Sequence, residues 1–89
     1  MKSCTIDGAG LADAAAAYQE LAAAFNAPNY FGANPDALWD AITEYGGEPV
    51  EIVWLDSARS AEILGQRFRE IMAVLETAAA EGRLELQLK

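Results

Sequence analysis

Three carboxylates, Asp36, Asp40 and Glu44, recur at every fourth residue, and no Lys or Arg stands anywhere between Lys2 and Arg59. On a helix, residues four apart lie one above the other on the same face. Three chemistries could use such a row. A carboxylate pair can divide acid and base roles, but that needs a cleft that pushes two pKa values apart, and one exposed helix face offers none. A calcium ion wants six to eight oxygens, usually gathered by a loop. The third possibility is a face that meets a cationic partner. Like charges at this spacing cost a helix about 0.2–0.5 kcal/mol per pair, which a sequence selected for stability alone would relieve with a Lys. Aromatic and small polar residues stand around the row: Tyr30, Phe31, Gly32 and Asn34 before it, Trp39 and Thr43 within it, Tyr45 at its end. Charge alone fits a solvated helix face equally well; the clustering with aromatics favours a docking face.

Other catalytic chemistry is poorly supplied. The chain has no His, which removes the usual general base near neutral pH. Its one Cys, Cys4, falls in an apparent strand without a basic partner and reads as a small buried residue. Asp7-Gly8-Ala9-Gly10 lacks the strand–loop–helix pattern of a phosphate loop and reads as a turn. No zinc spacing is present. The expectation is a protein that is not an enzyme and needs no cofactor or metal.

Net charge is −8, and the nine acids Asp7, Asp13, Glu20, Asp36, Asp40, Glu44, Glu48, Glu51 and Asp56 all precede the second basic residue. Such a field attracts cationic proteins and repels nucleic acid. A lone Cys cannot form an internal disulfide, which fits a reducing compartment. Asp7 and Asp13 interrupt any apolar leader, and no apolar run approaches the ~18 residues of a membrane helix. A cytoplasmic location without membrane contact is expected.

The elements that must position the acidic row can be placed by local chemistry. Asn34 is a good N-cap, Pro35 suits the first helical position, and Asp36 meets the positive end of the helix dipole. Leu38 and Ile42 supply the buried stripe of a helix over Pro35–Tyr45, stopped by Gly46-Gly47. Before it come a strand over Ser3–Ile6 and an Ala-rich helix over Asp13–Phe25, whose expected buried face is Leu11, Ala15, Tyr18, Ala22 and Phe25. Asn26 tolerates the left-handed cap that ends it. After it come a strand over Val50–Trp54, a short helix capped by Asp56 or Ser57 and ending at Leu64, and a longer helix over Gln66–Ala80. The longer helix presents Phe68, Ile71, Met72, Leu75 and Ala79, and Gly82 closes it. A last strand, Arg83–Leu88, alternates cleanly, with Leu84, Leu86 and Leu88 on one side. Strands separated by helices call for right-handed crossovers and a parallel sheet. The expected fold is a two-layer α/β domain over residues 1–89, with three parallel strands and four helices on one side. Its 89 residues suffice for one core.

The run Tyr30-Phe31-Gly32-x-Asn34-x-Asp36-Ala37-Leu38-Trp39-Asp40, followed by Thr43, resembles the barstar family of bacterial intracellular ribonuclease inhibitors. The order of elements is similar along the whole chain. The resemblance implies the same two-layer fold and an immunity- or antitoxin-type module that plugs the active site of a small basic ribonuclease of the secreted type. It implies that Asp40 sits where an RNA phosphate binds, that Asp36 meets further basic groups, and that Tyr30 packs against the catalytic His. Trp39, Gly32, Asn34 and Thr43 then complete the patch, with Glu44 and Tyr45 at its edge. The free protein is expected to be a monomer that binds its target 1:1. It also implies that the Glu48–Pro49 bond can be cis. This chain departs from the family pattern at Pro35, at Glu44 (where Gly is usual), at Tyr45 (where Trp is usual) and at Thr77, where a rim Glu is expected and Glu76 stands one position earlier. The alternative reading is an acidic interaction domain that binds a basic protein without inhibiting any enzyme.

Overall fold

The computed structural model describes residues 2–28 and 32–89. The elements run β1 (Lys2–Asp7), α1 (Ala14–Ala24), α2 (Pro35–Tyr45), β2 (Val50–Leu55), α3 (Ser57–Leu64), α4 (Gln66–Ala80) and β3 (Leu84–Leu88). The strands form one parallel sheet in the order β1-β2-β3. Cys4 lies beside Ile52, which lies beside Leu86. Both crossovers move the same way across the sheet, so right-handed connections bring all four helices to one face. Burial agrees. Val50, Ile52 and Trp54 are buried, whereas the alternate residues Glu51, Val53 and Leu55 of the same strand are only half-buried. On the open face Glu51 bridges the strands, accepting from Ser3 Oγ (3.1 Å) and Gln87 Nε2 (2.8 Å). This accounts for a carboxylate in an otherwise apolar central strand.

The core lies between sheet and helices: Ile6, Ile52 and Trp54 below, and Leu21, Phe25, Ile42, Ile71 and Leu75 above. The rings of Trp54 and Phe68 meet edge to face, with centroids 5.5 Å apart. One polar chain runs through this core. Trp54 Nε1–H donates to Ser60 Oγ (2.8 Å), and the Ser60 hydroxyl donates to the Gly8 carbonyl (2.8 Å). Both side chains are fully buried. The chain ties β2, α3 and the turn after β1 together at one end of the sheet.

Four expectations need correction. Around α1, Leu11, Tyr18 and Phe25 are buried as expected, but the buried alanines are Ala14, Ala17 and Ala24, with Leu21 beside them, rather than Ala15 and Ala22, which are half-buried. In α4 the buried alanine is Ala78 rather than Ala79. Asp56 makes no capping bond; it adopts a left-handed conformation (φ 53°). The first N–H of α3, on Ser57, is satisfied instead by the Lys89 carbonyl at 2.9 Å. Glu48–Pro49 is trans, the isomer an X–Pro bond favours by about 0.5–1 kcal/mol when nothing in the surroundings selects the other.

Tyr18 is 4% exposed, and its hydroxyl has no hydrogen-bond partner among the described residues. Tyr18→Phe deletes that orphaned oxygen and keeps the ring. The variant is expected to be as stable as the parent or more so, against the loss of about 1 kcal/mol that removing a satisfied hydroxyl gives. Thermal unfolding of the two proteins decides.

Two weak acids, half-buried Cys4 and buried Tyr18, bear on alkaline stability. Burial raises the Cys4 thiol above its ordinary 9.0, with Glu20 adding to the rise and Lys2 opposing it. Burial likewise raises the Tyr18 phenol above 10.0, helped by Glu70 and opposed by Arg67. Each group therefore binds its proton more tightly folded than unfolded. Their contribution to stability is complete below pH 9.0 and is lost as pH rises through the raised values. Stability should therefore fall above about pH 9, and the fall should be smaller in Tyr18→Phe; denaturant unfolding against pH measures it. At neutral pH the Cys4 thiol should react with a thiol reagent several-fold more slowly than in the unfolded chain.

Candidate functional site: an acidic helix beside a groove

Helix α2 is anchored by its own sequence. Asn34 Oδ1 accepts from the Ala37 N–H at 2.8 Å, and Pro35 opens the first turn. Gly32 leaves room for that cap: a Cβ there would lie 2.9 Å from Asn34 Nδ2. The Gly46 N–H closes the far end on the Ile42 carbonyl at 3.2 Å. Leu38, Ala41 and Ile42 are buried, which fixes which face looks outward. That outward face carries Asp36, Asp40 and Glu44, all exposed. They span about 12 Å along the helix axis at 1.5 Å per residue.

Asp36 and Asp40 line a shallow groove of about 450 Å³ together with Pro35, Trp39, Ala73, Val74 and Thr77. One wall is α2 and the other α4, against which α2 packs. Two carboxylates one turn apart share the groove with an indole and small apolar side chains. That arrangement suits a guanidinium or ammonium carried on an apolar stem, or a cation next to a ring. Among the described residues the ion pairs are Arg59–Glu62 (3.1 Å) and Arg83–Glu81 (2.9 Å), and neither involves Asp36, Asp40 or Glu44. The acidic row is left without a cation of its own.

The expected site residues separate into groups. Asp36, Trp39 and Asp40 come together at the groove, while Asn34 caps the helix that carries them and Gly32 leaves room for that cap. Thr43 is half-buried, and its hydroxyl donates back to the Trp39 carbonyl at 2.9 Å, so that donor is engaged within the helix in the free protein. Glu44 and Tyr45 are exposed at the far end of α2, away from the groove-lining set, Tyr45 at 38%. Tyr30 lies outside the described residues. Thr77, the altered rim position, lines the groove and donates its hydroxyl to the Ala73 carbonyl at 2.9 Å.

Arg83 was not legible as part of this site. Its guanidinium carbon lies over the Trp39 ring, 5.7 Å from the centroid. Forty-four residues separate the two in the sequence, and only the packing of α4 and β3 beside α2 brings them together. The α4 flank Ala73, Val74 and Thr77 could have been found, because it lies next to the buried stripe at helical spacing.

The comparisons with known proteins bear on the same stretch. A Bacillus subtilis (strain 168) protein carrying the name "Putative ribonuclease inhibitor YrdF" is 27% identical over 88 residues, covering 99% of this chain and 97% of that relative. A family model described as Barstar (barnase inhibitor) matches residues 1–88. That match takes in all three strands and the acidic helix alike, and the chain belongs to the barstar family.

Proposed function

We propose that the protein inhibits a small basic ribonuclease by covering its active site with α2 and the turn before it. The observation that carries this reading is the pair Asp36 and Asp40, exposed and in no ion pair among the described residues, on a helix fixed at both ends. Family membership and the relative's name support the same reading. In this mechanism Asp40 takes the place of an RNA phosphate and faces the enzyme's Arg and His groups. Asp36 meets neighbouring basic residues, and Trp39 supplies the apolar contact beside them. A docking surface that is already ordered loses little side-chain and loop entropy on association. The net charge of −8 should speed encounter with a basic partner and make the rate fall steeply with salt. The protein acts in the cytoplasm, as a monomer that forms a 1:1 complex. Pro35, Glu44, Tyr45 and Thr77 alter the edge of the patch and can direct it to a ribonuclease other than the one the family is named for.

Competition separates inhibition from mere binding. A guanyl-preferring bacterial ribonuclease is loaded with a fluorescent, non-cleavable oligonucleotide, and the protein is titrated in. Release of the oligonucleotide at one equivalent is expected. Formation of a ternary complex would replace this reading with that of an interaction domain that leaves the enzyme's site open.

A further inference from the structure

Helix α4 ends in a hydrogen-bonded cap that fixes where Arg83 begins. The Gly82 N–H donates to the Ala79 carbonyl (3.0 Å), and the Arg83 N–H donates to the Ala78 carbonyl (3.0 Å). These are the paired bonds of a Schellman cap, and Gly82 supplies the required left-handed residue with φ 77°. Arg83 thus leaves the cap from a set backbone position, at the negative end of the α4 dipole. Its side chain is held at two further points: Nε donates to Glu81 Oε1 at 2.9 Å, and the guanidinium lies over Trp39. Trp39 is the aromatic wall between Asp36 and Asp40. A held cation therefore lies over the ring that lines the groove with Asp36 and Asp40, without an ion pair to either acid.

We propose that Arg83 is a specificity-determining residue of the docking face, a resident cation that keeps other cations off the outer face of Trp39. A partner then fits only if its basic groups converge on Asp36 and Asp40 while it places a carboxylate or carbonyl oxygen opposite Arg83. A generic cationic chain lacks that acceptor and meets Arg83 as a like charge. This inference rests on α2 being the docking surface, and it concerns which partners that surface accepts.

The test uses hexa-arginine peptide as a probe of generic cation binding, titrated into the full chain at low salt by calorimetry. Arg83→Gln is compared with Arg59→Gln. The two changes alter net charge equally, and each removes an exposed Arg paired with a Glu. Arg83→Gln should tighten peptide binding about two- to fivefold more than Arg59→Gln does, the range one exposed cation–π contact gives. Equal effects of the two substitutions would overturn the proposal, because Arg83 would then contribute only net charge. Arg83→Lys keeps the charge but loses the planar stack and should fall between parent and Arg83→Gln; behaviour identical to Arg83→Gln would likewise contradict a resident cation. None of these readings involves a ribonuclease. Failure of inhibition and failure of this proposal are therefore separate results.

Discussion

Asp40→Ala should weaken binding to the target ribonuclease by about 2–5 kcal/mol, roughly 30-fold at the least, mostly through faster dissociation. Asp40 is exposed on the middle turn of α2, lines the groove with Trp39, and has no ion pair in the free protein among the described residues. Its removal therefore breaks nothing inside the fold, and the loss falls on the complex. The effect on the free protein should be near zero or slightly favourable, because a like-charge neighbour of Asp36 and Glu44 is removed. Glu44→Ala makes the same charge change four residues on, outside the groove-lining set. It should slow association modestly and raise its salt tolerance, with a loss of about 0.5 kcal/mol or less, as for rim charges generally. Surface plasmon resonance of both variants at two salt concentrations separates the cases. Equal losses for the two would mean that the face acts through bulk charge, as an interaction domain without a focal site would.

Ser60→Ala should destabilise the fold by about 2–4 kcal/mol and lower Tm by about 10 °C or more. The hydroxyl is fully buried and has two partners, accepting from Trp54 Nε1 and donating to the Gly8 carbonyl, both at 2.8 Å. Alanine strands a buried donor and a buried acceptor together, at about 1–3 kcal/mol each. Gly8→Ala should do at least as much damage by a different route. A Cβ there would crowd Ser60 Oγ and the Leu55 carbonyl and would approach Trp54 Nε1 to 2.8 Å. Neither change touches α2, so binding to the target should be kept wherever the protein is folded. Thermal unfolding with tryptophan fluorescence reads both; a shift of under 2 °C for Ser60→Ala, or roughly 0.3 kcal/mol, would show that the pair is not needed.

Strong local chemistry was legible in the sequence, and tertiary contacts were not. Asn34-Pro35 before Leu38 and Ile42 marked the start of α2 and Gly46-Gly47 its end, both as observed, since capping residues act within one turn. Asn26 and Gly82 marked two left-handed caps for the same reason. The alternation in Leu84–Leu88 marked the core-facing side of β3, where Leu84 is buried and Leu86 packs against the core. The buried faces of α1 and the end of α4 were misplaced by about one residue where the chain reads Ala after Ala, because an unbroken run of one residue type carries no period to read. Nothing in its local sequence marks Ser60, in a short helix, as a core residue; the arrival of Trp54 and Gly8 beside it makes it one. Arg83 looked like the wet side of a strand, and its contact with Trp39 depends on how α4 and β3 sit against α2.

The acidic row was legible as chemistry before it was placed in space. The fold adds a second wall to it, the α4 flank of Ala73, Val74 and Thr77, and a single cation at its edge. On the proposed reading such a surface should select by arrangement more than by charge, and that is where the departures at Pro35, Glu44, Tyr45 and Thr77 should act.

The most direct measurement is RNA hydrolysis by a guanyl-preferring bacterial ribonuclease, titrated with the protein and, in parallel, with Asp40→Ala. Hydrolysis should fall linearly to zero at one equivalent of the parent, while the variant leaves most activity at the same dose. Full activity at a large excess of folded parent, against the chain's own cognate ribonuclease as well, would contradict inhibition as its function.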